Sequence, residues 1–166
     1  CVLVPLNQHK SWAEMSHELE LVEPAAILTD GVDYGNKEQL EAAYGSLLHP
    51  MDDFRSYEPV AELHPIDHEA LMVLMFTSGT TGISKGVMMS EHNLFSAGAI
   101  MWAISAQVKS RLKEKDSQPG HYMMLPMFHM GAFIDLFSTT VMGWPLNLGF
   151  DARNFYRDVQ KMSSQI

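Results

Sequence analysis

Between Thr77 and Gly86, ten residues carry five hydroxyls (Thr77, Ser78, Thr80, Thr81, Ser84), three glycines (Gly79, Gly82, Gly86) and one lysine, Lys85. Hydroxyl groups donate to oxyanions without adding negative charge. Glycine lets a backbone take positive φ and approach a ligand closely, because no Cβ stands in the way. Lysine supplies a compact cation on a long stem, suited to phosphate oxygens. Together these residues read as a cradle for a polyphosphate. The order is not that of a Walker A loop, which needs Gly-Lys-Ser/Thr five residues after its first glycine. Counted from Gly79, the fifth position is Ser84, and Lys85 is followed by Gly86. An ordinary Gly/Ser/Thr-rich hairpin turn has the same composition, so the order of the residues and their flanks must separate the two readings.

Those flanks are the elements that would position the loop. The run Leu71-Met72-Val73-Leu74-Met75-Phe76 precedes it and Val87-Met88-Met89 follows it, which predicts strand, loop, strand. In this setting Thr77 to Val87 resembles the signature loop of the AMP-forming adenylating enzymes. This superfamily comprises acyl- and aryl-CoA synthetases, luciferases and the adenylation domains of peptide synthetases. Its loop is usually Thr-Ser-Gly-Thr-Thr-Gly-x-Pro-Lys-Gly-Val, and every specified position matches here except the proline, which is Ser84. Serine lacks the fixed φ of proline, so the departure bears on loop rigidity. Thr80, where peptide-synthetase domains usually carry serine, tilts the resemblance toward acyl or aryl acids.

Upstream, residues 1–4 read as a buried strand, and Ser11 with Glu14 forms a capping box for a helix with Trp12, Met15, Leu19 and Val22 on one stripe. Ala25 to Thr29 reads as the next strand, giving a βαβ unit and hence a parallel sheet. The order of these pieces resembles the segment that precedes the loop in the same superfamily. Asn36 is placed to cap a helix carrying Leu40, Ala43, Tyr44 and Leu47. From Leu48 to His68 the pattern dissolves into a long surface connection. Its carboxylates Asp52, Asp53, Glu58 and Glu62 read as a solvated face rather than as metal ligands.

Downstream, Ser90 is placed to cap a helix with Leu94, Gly98, Met101, Ile104 or Ser105, Val108 and Leu112 on one side. Its basic end (Lys109, Arg111, Lys113, Lys115) suits the negative pole of the helix dipole. The superfamily commonly shows Thr/Ser-His-x-Asn-Leu at this cap. Glu91 replaces that histidine, so no role carries over to it. Ser117 to Gly120 reads as a turn and His121 to Leu125 as a strand, followed by Pro126-Met127-Phe128-His129-Met130-Gly131. By itself His129 reads as a satisfied core histidine. The resemblance, which has Leu-Pro-x-Phe-His here, implies instead that Phe128, His129, Met130 and Gly131 line or gate a carboxylate pocket. Gly131 and Ala132 would leave room there for an apolar ligand. Residues 132–142 read as a helix, Leu146 to Leu148 as a strand, and Asp151 as the cap of a last helix. Many of the thirteen methionines flank these stretches, either as adaptable pocket lining or as core filler. The eight histidines show no zinc spacing, so no metal site is expected.

With 166 residues, 46 % of them hydrophobic, the chain can bury a real core. A net charge of −9 argues against nucleic acid or an anionic membrane as the main partner. One cysteine, Cys1, excludes an internal disulfide and fits a reducing compartment. No apolar run approaches the roughly 20 residues of a membrane span, and a cytoplasmic protein is expected. The apolar opening and the helical pattern running to Ile166 read as an internal segment of a longer protein.

The expected fold is α/β: a mostly parallel sheet flanked by helices, part of the layered N-terminal domain of an AMP-forming acyl-CoA synthetase. Residues 1–166 would be a fragment of one adenylation domain, with 1–48 a βαβ-like segment, 49–68 the surface connection and 69–166 the phosphate-loop and acyl-pocket segment. The resemblance implies an ATP-dependent reaction in which a carboxylate attacks the α-phosphorus, forming an acyl-adenylate and pyrophosphate. Transfer to a thiol, usually CoA, follows. Thr77, Ser78, Gly79, Thr80, Thr81, Gly82 and Lys85 are expected to contact the β- and γ-phosphates, with Mg2+ bridging the phosphates. The superfamily's later Tyr-Gly-x-Thr-Glu stretch, its Thr-Gly-Asp ribose segment and its C-terminal domain with the adenylation lysine have no counterpart here. No catalytic residue is therefore assigned, and the segment alone is expected not to turn over. A non-catalytic nucleotide- or protein-binding module that retains the loop is the alternative.

Overall fold

The computed structural model describes residues 1–62, 65, 67–77, 84–112, 121–149 and 152–163. The chain forms two units. One contains Leu6–Asp67 and Phe76–Gly86, the other Cys1–Pro5, His68–Met75 and Val87–Ile166.

In the first unit, helix α1 (Trp12–Val22) starts at the expected capping box. The Glu14 N–H donates to Ser11 Oγ at 3.4 Å, and the Ser11 N–H donates back to Glu14 Oε2 at 3.0 Å. The Ser11 hydroxyl, and then its backbone N–H, hold the Glu14 carboxyl below the usual carboxylate range. Met15 and Leu19 are buried, and Trp12 and Val22 half-buried, as the stripe predicts; Glu18, also buried, was not expected. Ser11→Ala should cost about 1 kcal/mol in a urea denaturation at neutral pH. Because the Glu14 pKa is depressed on folding, its contribution is present above the unfolded pKa and disappears as pH falls through the folded one. The same denaturation repeated at acid pH should therefore show a smaller gap between the variant and its parent.

Strand β1 (Ile27–Thr29) pairs in parallel with β2 (Leu48–Pro50), Ile27 lying opposite Leu48, with helix α2 (Lys37–Tyr44) between them in the chain. This corrects two expectations. The βαβ unit is β1, α2 and β2 rather than residues 1–4, α1 and residues 25–29, and the supposed connection from Leu48 opens with a strand. A three-residue strand that ends in proline has too few positions to show a period of two. Beyond β2 the chain makes a short 3-10 helix, Met51–Ser56, and Asp52, Asp53, Glu58 and Glu62 are exposed as expected. Asn36 precedes α2 but makes no side-chain cap; its amide donates to the Lys10 carbonyl at 2.7 Å instead.

In the second unit, residues 1–4 are not a buried strand. Leu3 alone bridges to Val73, in parallel, and Val2 and Leu3 are exposed, since one bridged residue provides little to cover its neighbours. Strands β3 (Leu71–Thr77) and β4 (Lys85–Ser90) are adjacent, as the loop reading requires. Val73, Met75 and Met89 from these strands form a core with Leu94 and Phe133, and Met130 and Phe137 pack against it. Helix α3 (Glu91–Leu112) begins with a reciprocal cap: the Asn93 N–H donates to Ser90 Oγ at 3.3 Å and the Ser90 N–H donates to Asn93 Oδ1 at 2.9 Å. Helix α4 (Met130–Met142) packs on α3, where Phe95 meets Phe137 edge to face at 6.5 Å and Gly98 lies against Ser138. Met101 and Ile104, expected on the buried stripe, are exposed. At 13 residues against 22, α4 is too short to cover α3 along its length.

Strand β5 (His121–Met123), shorter than expected, pairs in parallel with β6 (Leu146–Leu148), and α5 (Phe155–Ser163) follows. The side chains of Lys109 and Arg111, together with Lys113, Lys115, the turn at 117–120 and the Asp151 cap, lie outside the described residues. The fold is thus α/β, built of helices and short parallel sheets.

Candidate functional site

Strand β3 carries the chain through the core at Val73 and Met75 and delivers Thr77, exposed, at its last position. The chain returns at Ser84, half-buried, and Lys85, exposed, is the first residue of β4. Thr77 Oγ1 donates to the Lys85 carbonyl at 3.4 Å, so the two ends of the loop are held together. Of the predicted phosphate ligands, Thr77 and Lys85 are therefore neighbours, while Ser78, Gly79, Thr80, Thr81 and Gly82 lie outside the described residues. Among the described residues no ion pair engages the Lys85 ammonium.

The predicted pocket residues belong to the other unit. Phe128 and His129 stand at the entrance to α4 with their rings 5.0 Å apart, and Met130 and Gly131 are the first two residues of that helix. His129 is exposed, which removes the reading as a satisfied core histidine. Its backbone N–H donates to the Pro126 carbonyl at 2.9 Å and its side chain makes no cap. Gly131 does not open free space on all sides, because a Cβ there would stand 2.9 Å from Leu125 Cδ1, and Ala132 is fully buried. The strand that leads here is fixed by His121, whose Nε2 lies 3.1 Å from Asp135 Oδ2, and by Tyr122, whose hydroxyl donates to Asp158 at 3.1 Å.

Sequence reasoning missed one feature of the loop's surroundings. The Lys10 ammonium lies between the buried Glu18 carboxylate, with which it pairs, and Ser84 Oγ at 3.2 Å. The legible signal was a carboxylate on the otherwise apolar stripe of α1.

A model of the AMP-binding enzyme family matches residues 1–165. The chain belongs to the AMP-binding enzyme family. Among curated relatives, 2-succinylbenzoate–CoA ligase of Bacillus licheniformis is 29 % identical over 95 % of this AMP-binding chain and 32 % of its own length. Steroid-22-oyl-CoA synthetase of Rhodococcus jostii is likewise 29 % identical, over 95 % of this chain and 29 % of its own. The AMP-binding segment described here thus spans about a third of the length of the curated relatives it matches. Of solved structures, O-succinylbenzoate coenzyme A synthetase of Bacillus subtilis in complex with ATP and magnesium ion superposes with a TM-score of 0.69. It is 22 % identical over 95 % of this chain and 40 % of that one, which shows the fold.

Among the described residues no three His, Cys, Asp or Glu side chains cluster to hold a metal, and no helix is long and apolar enough to cross a membrane.

Proposed function

We propose that this segment belongs to an ATP-dependent, AMP-forming acyl-CoA synthetase, and that its part in the reaction is to hold the triphosphate through the loop between β3 and β4. The observation that carries the reading is Lys85: an exposed cation without an ion pair among the described residues, at the mouth of a hydroxyl- and glycine-rich loop whose ends are joined by Thr77. Thr77, Ser78, Gly79, Thr80, Thr81 and Gly82 are assigned to the same phosphates, by hydroxyls and backbone N–H groups. Charge builds on the leaving pyrophosphate as a carboxylate attacks the α-phosphorus. Donors fixed beforehand around those oxygens lower the barrier because they need no reorganisation at that moment. Magnesium would arrive on the triphosphate, since the described residues offer it no cluster of carboxylates. Phe128, His129, Met130 and Gly131 are assigned to the acid pocket, and CoA is the thiol that accepts the acyl group. A division of the chain at 68, ahead of the phosphate-loop and acyl-pocket segment, belongs to the same proposal, as does a cytoplasmic setting, where ATP and CoA are available.

The test is pyrophosphate release by the full-length protein, offered carboxylic acids of graded chain length and aryl acids, with and without CoA. Acid-dependent release, with AMP and acyl-CoA as products, is expected for one class of acid. ATP binding without release on any acid would instead favour a non-catalytic nucleotide-binding module.

A further inference from the structure

Glu18 is 1 % exposed, and a carboxylate so buried must be paired to remain charged. Its partner is Lys10, itself held at the backbone. The Lys10 N–H donates to the Asn7 carbonyl at 3.2 Å, and the Lys10 carbonyl accepts from Asn36 Nδ2 at 2.7 Å. An ammonium has three donors. One engages Glu18, and another reaches Ser84 Oγ at 3.2 Å, across 74 positions of sequence. Ser84 is also the one specified position at which the loop departs from its signature, serine standing where proline is usual, and it directly precedes Lys85. A proline ring fixes φ by covalent geometry. A serine hydroxyl accepting from an immobilised ammonium fixes the same residue by a hydrogen bond.

We propose that Lys10, anchored by Glu18, is a positioning residue that holds the exit of the phosphate loop through Ser84, replacing the restraint that proline otherwise supplies there. The inference rests on the reading of that loop as the triphosphate cradle. It assigns to Lys10 no contact with the nucleotide.

The test uses the full-length protein. Lys10→Met combined with Glu18→Leu removes the pair without leaving a buried charge alone. The KM for ATP in pyrophosphate exchange should rise about five- to tenfold, less than the loss of a direct hydrogen bond to a charged group, because Lys10 acts on the loop and not on the nucleotide, with the KM for the acid unchanged. Adding Ser84→Pro to that double variant should bring the ATP KM back to within about twofold of the parent, because the restraint is then covalent. Amide hydrogen exchange of the peptide from Thr77 to Val87 provides a readout that does not depend on activity: faster in the double variant, restored by the added proline. If the double variant loosens α1 and β1 as well, Ser84→Ala decides, since it removes only the acceptor and should reproduce the local effect. An ATP KM and loop exchange that stay at parental values, or changes that persist at equal size once Ser84→Pro is added, would overturn the proposal. Absence of pyrophosphate exchange in the parent itself would count against the proposed reaction, and the hydrogen-exchange comparison would still decide the role of Lys10.

Discussion

Lys85→Ala in the full-length protein should lower kcat/KM for ATP-dependent pyrophosphate exchange by about 10- to 100-fold. Hydrogen bonds to charged groups contribute roughly 1.5–3 kcal/mol, and each 1.4 kcal/mol is about a tenfold change. Lys85 is exposed and free of ion pairs among the described residues, so its removal should leave the thermal midpoint almost unmoved. That separation of activity from stability identifies a ligand contact. Lys85→Arg should recover only part of the loss, because a planar fork does not reproduce a compact ammonium on a flexible stem. Steady-state kinetics at varied ATP, run beside a thermal melt, measures both. Parental kinetics in the alanine variant would remove Lys85 from the phosphate site.

The second large effect concerns stability. Lys10→Met alone should destabilise the protein by about 3–5 kcal/mol, because it leaves a buried carboxylate without its counter-charge. The burial figures decide between this and a surface pair: the Lys10 side chain is 16 % exposed and that of Glu18 1 %. An exposed pair would contribute less than about 1 kcal/mol. Adding Glu18→Leu should return most of the loss, since an apolar side chain of similar volume needs no partner at that depth. Urea denaturation of the two variants and the parent gives the three free energies. A single variant within about 1 kcal/mol of the parent would show that the pair is solvated.

Much of the second unit was legible in the sequence because its signals are local and long. Two apolar runs on either side of a loop of specified order identified β3 and β4. Ser90 marked the start of α3, and Leu146 to Leu148 appeared as a strand between two helical patterns. The pairing of β1 with β2 was hidden because a parallel partner can be any short segment beyond a crossover, and Leu48–Pro50 has neither length nor alternation. The exposure of Met101 and Ile104 was hidden because a stripe on a helix does not state how much of it a neighbour covers. Of the candidate site, the residue types were readable but the support was not. Lys10 and Ser84 meet only through tertiary structure, and Glu18 on an apolar stripe was the single local hint.

Gly98 has a bearing on attempts to re-engineer acid selectivity. A Cβ at this position would come within 3.3 Å of Ser138 Oγ and 3.6 Å of the Ser138 Cα, on the helix whose first turn carries Met130 and Gly131. Side chains larger than alanine at position 98 would press further on Ser138, so the space between α3 and α4 would have to widen to admit them. A mutational library confined to the proposed pocket would leave that packing contact untouched, whereas one that also varies position 98 would sample it.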